Sequence, residues 1–96
     1  MHGIVFAPAA ERYLKKIRES GLRKAYHDAF ARIAADPRSG ERKHGDLQGL
    51  YGFDVYYKGT NYEIAYRIDE ADGKCVVVVL AGTRENFYKE LKRHLG

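Results

Sequence analysis

A chain of 96 residues has room for one folded domain, 1–96, and for no second one. Hydrophobic residues make up 45% and aromatics 12%, which excludes a disordered chain, and the single cysteine, Cys75, excludes an internal disulfide and a cysteine-built zinc cluster. Seventeen Lys and Arg against thirteen Asp and Glu leave a formal charge of +4, the sign that suits a polyanionic partner.

In chain order, the apolar run from Gly3 to Phe6 reads as a short strand, and Pro8 is placed to open a helix, where its missing N–H is no loss. Ala10, Tyr13, Leu14 and Ile17 then recur at helical spacing, with Ser20-Gly21 expected to end that helix. A second helix follows on the stripe Leu22, Ala25, Tyr26, Ala29, Phe30 and Ile33, and stops before Asp36-Pro37. Two helices joined so closely are expected to pack as an antiparallel hairpin. Arg12, Lys15, Lys16, Arg18, Arg23 and Lys24 make that hairpin the densest basic region, read either as solvated surface or as a face that docks RNA.

Arg38 to Gly45 (RSGERKHG) has neither period and reads as a basic surface loop. The period then changes to two: Phe53, Val55 and Tyr57 alternate with polar neighbours, Gly59-Thr60-Asn61 turns the chain, and Tyr62–Asp69 alternates again through Ile64, Tyr66 and Ile68. After a polar turn, Cys75 to Ala81 is apolar on both faces, as in a central strand. Gly82-Thr83 breaks the sheet, Thr83 suits an N-cap, and Phe87, Leu91 and Leu95 mark a last amphipathic helix. The order is β-α-α-β-β-β-α, an α+β fold. No run is long enough to span a bilayer and no secretory leader is present, so a cytoplasmic protein that meets no membrane is expected.

The ordered set LQGLYGFDVYYKGTNYEIAYRID, a turn, CVVVVLAGTRENFY and a basic amphipathic end resembles the RelE/ParE superfamily, the small toxins of type II toxin–antitoxin systems. The resemblance covers nearly the whole chain. It implies a twisted antiparallel sheet packed against an N-terminal helical hairpin and a C-terminal helix. It also implies an antitoxin that holds the toxin inactive in a hetero-oligomer, and one of two actions: cleavage of messenger RNA on the ribosome, or inhibition of DNA gyrase. The first expectation is a ribosome-dependent mRNA endonuclease working without metal or other cofactor; the alternatives are a non-enzymatic ParE-like gyrase inhibitor and a degenerate homologue that only binds antitoxin.

Metal-free RNA cleavage needs a base, an acid and cations to offset charge on the phosphorane. Arg84, in the G-T-R segment after the central strand, matches the family's functional arginine, and its fork suits a phosphate. Tyr88, four residues on, is either its partner in proton transfer or a core-edge aromatic beside Phe87 and Leu91. Tyr56, on the wet face of its strand, is a candidate for stacking a base or donating a hydrogen bond. His94 is a candidate proton carrier or a plain helix-end histidine. Where the family's nucleases present strand lysines and an arginine, this chain has Asp54, Tyr56 and Glu63. Lys58 and Arg67 are the surviving strand cations, either holding RNA or serving as edge charges in a cross-strand pair such as Lys58–Glu63. Arg42, Lys43 and His44 of the basic loop are candidates for phosphate contacts. The histidines lack a zinc-binding spacing, so no metal is expected.

Overall fold

A computed structural model of the chain describes residues 3–70, 75–85 and 87–95. Strand β1 (Gly3–Phe6) leads into helices α1 (Pro8–Lys15) and α2 (Ser20–Ala35). A two-residue strand β2 (Glu41–Arg42) precedes β3 (Tyr51–Tyr57), β4 (Thr60–Asp69) and β5 (Cys75–Thr83), and α3 (Phe87–Leu95) closes the order. Single 3-10 turns at Pro37–Ser39 and Gly45–Leu47 flank β2. Among the described residues no helix is long and apolar enough to cross a membrane.

The five strands lie in the order β1-β5-β4-β3-β2, so β4 is the middle strand and β5 the interior strand beside it. The sheet is mixed. β1 runs parallel to β5, with Ile4 opposite Val76 and Phe6 opposite Val78, while the other pairs are antiparallel. This corrects the all-antiparallel expectation: alternation reports which side chains are buried, not the direction in which a neighbour runs. The antiparallel pairing of Arg42 with Tyr51 likewise takes two residues of the expected basic loop into the sheet edge.

The helical hairpin covers one face, where Tyr26, Ile33, Ile64, Tyr66, Val76 and Val78 form the main core. On the other face α3 rests on Leu50, Ala65, Val79 and Leu80 through Phe87 and Leu91. A bulge makes the second core: Ala65 pairs with Leu80 and Tyr66 with Val78, so Val79 has no opposite residue and joins Leu80 on the α3 side.

Several boundaries differ from the periodicity reading. Ser20-Gly21 opens α2 instead of closing α1, because Gly21 passes under the Tyr57 hydroxyl, where a Cβ would collide with it. The connection is therefore longer than two residues; it is fixed by buried Ile17, whose carbonyl accepts from Arg23 Nε at 2.8 Å. The β3–β4 turn falls on Lys58-Gly59, with φ of 48° and 77°, the two-positive-φ geometry of a tight hairpin. Thr83 ends β5 and is not the cap of α3, which starts only at Phe87.

Tyr66 pins the 3-10 turn to the sheet. Its hydroxyl donates to Pro37 O at 2.7 Å and accepts from Gly40 N at 3.1 Å, while its ring stacks on Tyr51 at 5.3 Å. Tyr66→Phe keeps the ring but leaves the buried Pro37 carbonyl and the half-buried Gly40 N–H without this partner. It is expected to lower stability by about 1–3 kcal/mol in urea denaturation; an unchanged midpoint would show that the turn is held otherwise.

Candidate functional site: a charged cleft beneath the last helix

Antiparallel register places Asp54 of β3 directly opposite Glu63 of β4, and Gly82 of β5 opposite Glu63 on its other side. Alternation puts Asp54 and Glu63 on the face that α3 covers. Glu63 is only 1% exposed. A carboxylate so deep needs partners, and they arrive from three segments.

Arg84 follows β5, where its N–H bonds Asn61 O at 3.0 Å; its guanidinium lies 3.2 Å from Asp54 Oδ1 and 3.5 Å from Glu63 Oε1. Tyr88, in the first turn of α3, donates its hydroxyl to Glu63 Oε2. Lys43 reaches in from beyond β2, with Nζ 2.7 Å from Glu41 Oε1, 3.7 Å from Glu63 Oε2 and 4.9 Å from the centre of the Tyr88 ring. Gly52 makes this approach possible. A Cβ there would stand 2.7 Å from Lys43 Cε and 2.8 Å from Glu63 Oε2.

Burial works against the Lys43 charge, but Glu41, Tyr88 and Glu63 outweigh it and hold the ammonium well above its usual range. Burial also raises the Tyr88 hydroxyl, and its bond to Glu63 adds to that, with Lys43 opposing. The cleft therefore holds two fixed cations, Lys43 and Arg84, among three carboxylates, Glu41, Asp54 and Glu63. Its formal balance is negative by one.

The expected residues fare unequally. Arg84 and Tyr88 do meet, but through Glu63 and not along one helix face, since Arg84 precedes α3. Tyr56 stands on Asp54's face of β3 and is 71% exposed. The position of His94 falls in α3, but its side chain lies outside the described residues. Lys58 turns away to Glu19 at the start of α2, 3.5 Å off, so the Lys58–Glu63 pair does not form. Arg67 stays exposed on Glu63's face of β4. Of the loop cations, Lys43 enters the cleft, while Arg42 and His44 remain exposed beside it. On the helical hairpin, Lys15 and Lys24 are tied to Glu11 and Asp28. The acids Glu41, Asp54 and Glu63 were not foreseen as members of the site. The available signal was a charged residue between Tyr62 and Ile64 at the start of an alternating strand. Among the described residues no group of His, Cys, Asp or Glu is placed to hold a metal.

The arrangement is an α+β sheet with a helical hairpin on one face and a charged cleft under a closing helix on the other. Residues 4–92 match the family model described as ParE-like toxin of type II bacterial toxin-antitoxin system, and the chain belongs to that family. No curated protein matches the sequence. Among solved structures, the toxin–antitoxin complex RelBE2 of Mycobacterium tuberculosis matches with a TM-score of 0.66 and 27% identity, over 86% of this chain and 98% of that one. A mutant of the E. coli toxin RelE in the free state matches with a TM-score of 0.74 and 18% identity, over 99% and 98%. The intact E. coli RelBE toxin–antitoxin complex matches with a TM-score of 0.69 and 17% identity, over 85% and 95%. The two E. coli matches speak for the fold alone.

Proposed function

We propose that this toxin arrests growth by gripping a protein target, DNA gyrase being the target that the family resemblance supplies, and that a cognate antitoxin restrains it in a hetero-oligomer. The observation that carries this reading is the ion pairing of Arg84 with Asp54 and Glu63. A phosphodiester brings one negative charge and its phosphorane more, into a cleft already negative by one, so cleavage has to begin by displacing a carboxylate from Arg84. A protein surface bearing Lys or Arg meets no such obstacle. The RelBE complexes support the antitoxin partner, since there toxins of this fold are bound to antitoxins.

A second reading, the ribosome-dependent mRNA endonuclease, is favoured by one observation: a buried carboxylate hydrogen-bonded to Tyr88 beside Lys43 is a proton-transfer set. In it Arg84 stabilises the transition state, and Tyr88, Tyr56 or His94 carries protons. Arg42, Lys43, His44, Lys58 and Arg67 hold RNA on the ribosome.

Induction in cells separates the two. Under the gyrase reading, primer extension on a translated message shows intact RNA, an SOS reporter rises, and purified toxin blocks supercoiling by gyrase. Arg84→Ala then leaves growth arrest within about threefold, whereas loss of a transition-state stabiliser costs about 10²–10³-fold in rate. Codon-linked cuts that vanish in Arg84→Ala overturn the gyrase reading in favour of the nuclease. Absence of any arrest leaves a homologue that only binds antitoxin.

A further inference from the structure

We propose that the pocket at the junction of β2, the start of β3 and the end of β4 is a binding site for a phosphate group, adjoining the Arg84 cleft through Lys43 and independent of the gyrase reading. The pocket has a volume of about 270 Å³ and is lined on its basic side by Arg38, Arg42, Lys43 and His44. That places three permanent cations and a histidine, drawn from one short stretch of chain, around one concavity. The carboxylate in its wall, Glu70, is already engaged by Arg38 at 2.8 Å.

Arg38 is held at two points, since its other terminal nitrogen donates to the Tyr51 hydroxyl at 3.3 Å, so its fork is set before any ligand arrives. Lys43 is oriented by Glu41 and is largely buried. Arg42 has no carboxylate partner among the described residues and supplies the pocket's uncompensated charge. The wall that carries these groups is stiff: Lys43 N bonds Leu50 O at 2.9 Å, Leu47 N bonds His44 O, and Gln48 N bonds Gly45 O.

Glu70 offsets Arg38 and Glu41 offsets Lys43, so Arg42 leaves the pocket positive by one, and an anion seated beside it completes the balance. Guanidinium forks match the tetrahedral oxygens of phosphate, which selects this anion over a diffuse acidic surface. The volume falls just below the ~300–1,000 Å³ of sites for drug-sized ligands, so it accepts a phosphate with its sugar and little more. Two sources supply that chemistry: a free mononucleotide and the backbone of a nucleic-acid strand.

The test is a titration of the full chain, followed by amide chemical shifts and calorimetry, with inorganic phosphate, adenosine monophosphate and a short single-stranded oligonucleotide. Saturable shifts confined to residues 38–51 are expected with phosphate and the mononucleotide. Arg42→Ala is expected to weaken binding about tenfold, with Arg42→Lys, which keeps the charge and loses the fork, in between. Lys16→Ala removes an equal charge from α1 and is expected to change affinity less than about twofold. Tighter binding of the oligonucleotide with a steep salt dependence identifies a strand backbone as the source; equal or weaker binding identifies the free nucleotide. The proposal is overturned if phosphate and mononucleotide give no saturable shifts, if Lys16→Ala weakens binding as much as Arg42→Ala, or if polyglutamate displaces the phosphate ligands at lower concentration than they displace one another.

Discussion

Glu63→Ala is expected to destabilise the protein by about 2–5 kcal/mol, the range for emptying a buried side-chain site. The loss has three parts. Lys43 and Arg84 keep Glu41 and Asp54 but lose the carboxylate that joins them, the Tyr88 hydroxyl loses its acceptor, and a void opens in β4. A domain of this size carries about 5–15 kcal/mol in total, so the variant should sit near its unfolding threshold. Glu63→Gln keeps the volume and an acceptor for Tyr88, and a loss of about 1–2 kcal/mol is expected. Because Tyr88 ties α3 to the sheet, hydrogen exchange in α3 should quicken more than in the helical hairpin. Urea denaturation checks the magnitude. A loss in Glu63→Ala no larger than in Glu63→Gln would mean that the buried charge holds nothing in place.

Cooperative unfolding on the alkaline side is the second large effect expected. Burial is the largest of the causes that raise the hydroxyls of Tyr13, Tyr26, Tyr66 and Tyr88 above the ordinary tyrosine value. For Tyr26 the hydrogen bond to Tyr13, 3.2 Å long, adds to it. Lys43 is raised as well, by its acidic neighbours against the pull of burial. Every one of these groups keeps its proton in the folded state beyond the pH at which the unfolded chain releases it. Their stabilisation is therefore complete below about pH 10 and falls as the pH climbs from there toward the folded values, by about 1.4 kcal/mol per pH unit for each proton. Circular dichroism and tyrosinate absorbance should change together in one sharp transition above about pH 10. In Tyr26→Phe that transition should be shallower. Tyrosines that ionise one by one while the dichroism stays native would contradict the account.

Legibility in the sequence followed a physical division. The helix stripe from Leu22 to Ile33 and the strand alternation through Ile64, Tyr66 and Ile68 were readable because burial imposes a period on side chains next to each other in the chain. The Ser20-Gly21 boundary departs from its composition because its reason, the Tyr57 hydroxyl over Gly21, lies in a distant strand. The tight turn at Lys58-Gly59 was displaced by one residue because a lysine with positive φ carries no compositional mark of a turn. Arg84 and Tyr88 were found by their place in a familiar string, yet their common partner Glu63 was noticed only as a departure from that string.

Length, apolar spacing and the ordered motifs by themselves determined an α+β domain of the RelE/ParE kind with its helical hairpin, three long strands and closing helix, because each of those features is local in the chain. Only the tertiary structure decided that β1 runs parallel to β5 and that Lys43, Asp54, Glu63, Arg84 and Tyr88 share one cleft. Those residues meet through strand register and a glycine that makes room, and the sign of the field at a cleft belongs to the charges that meet there, whatever the net charge of the chain.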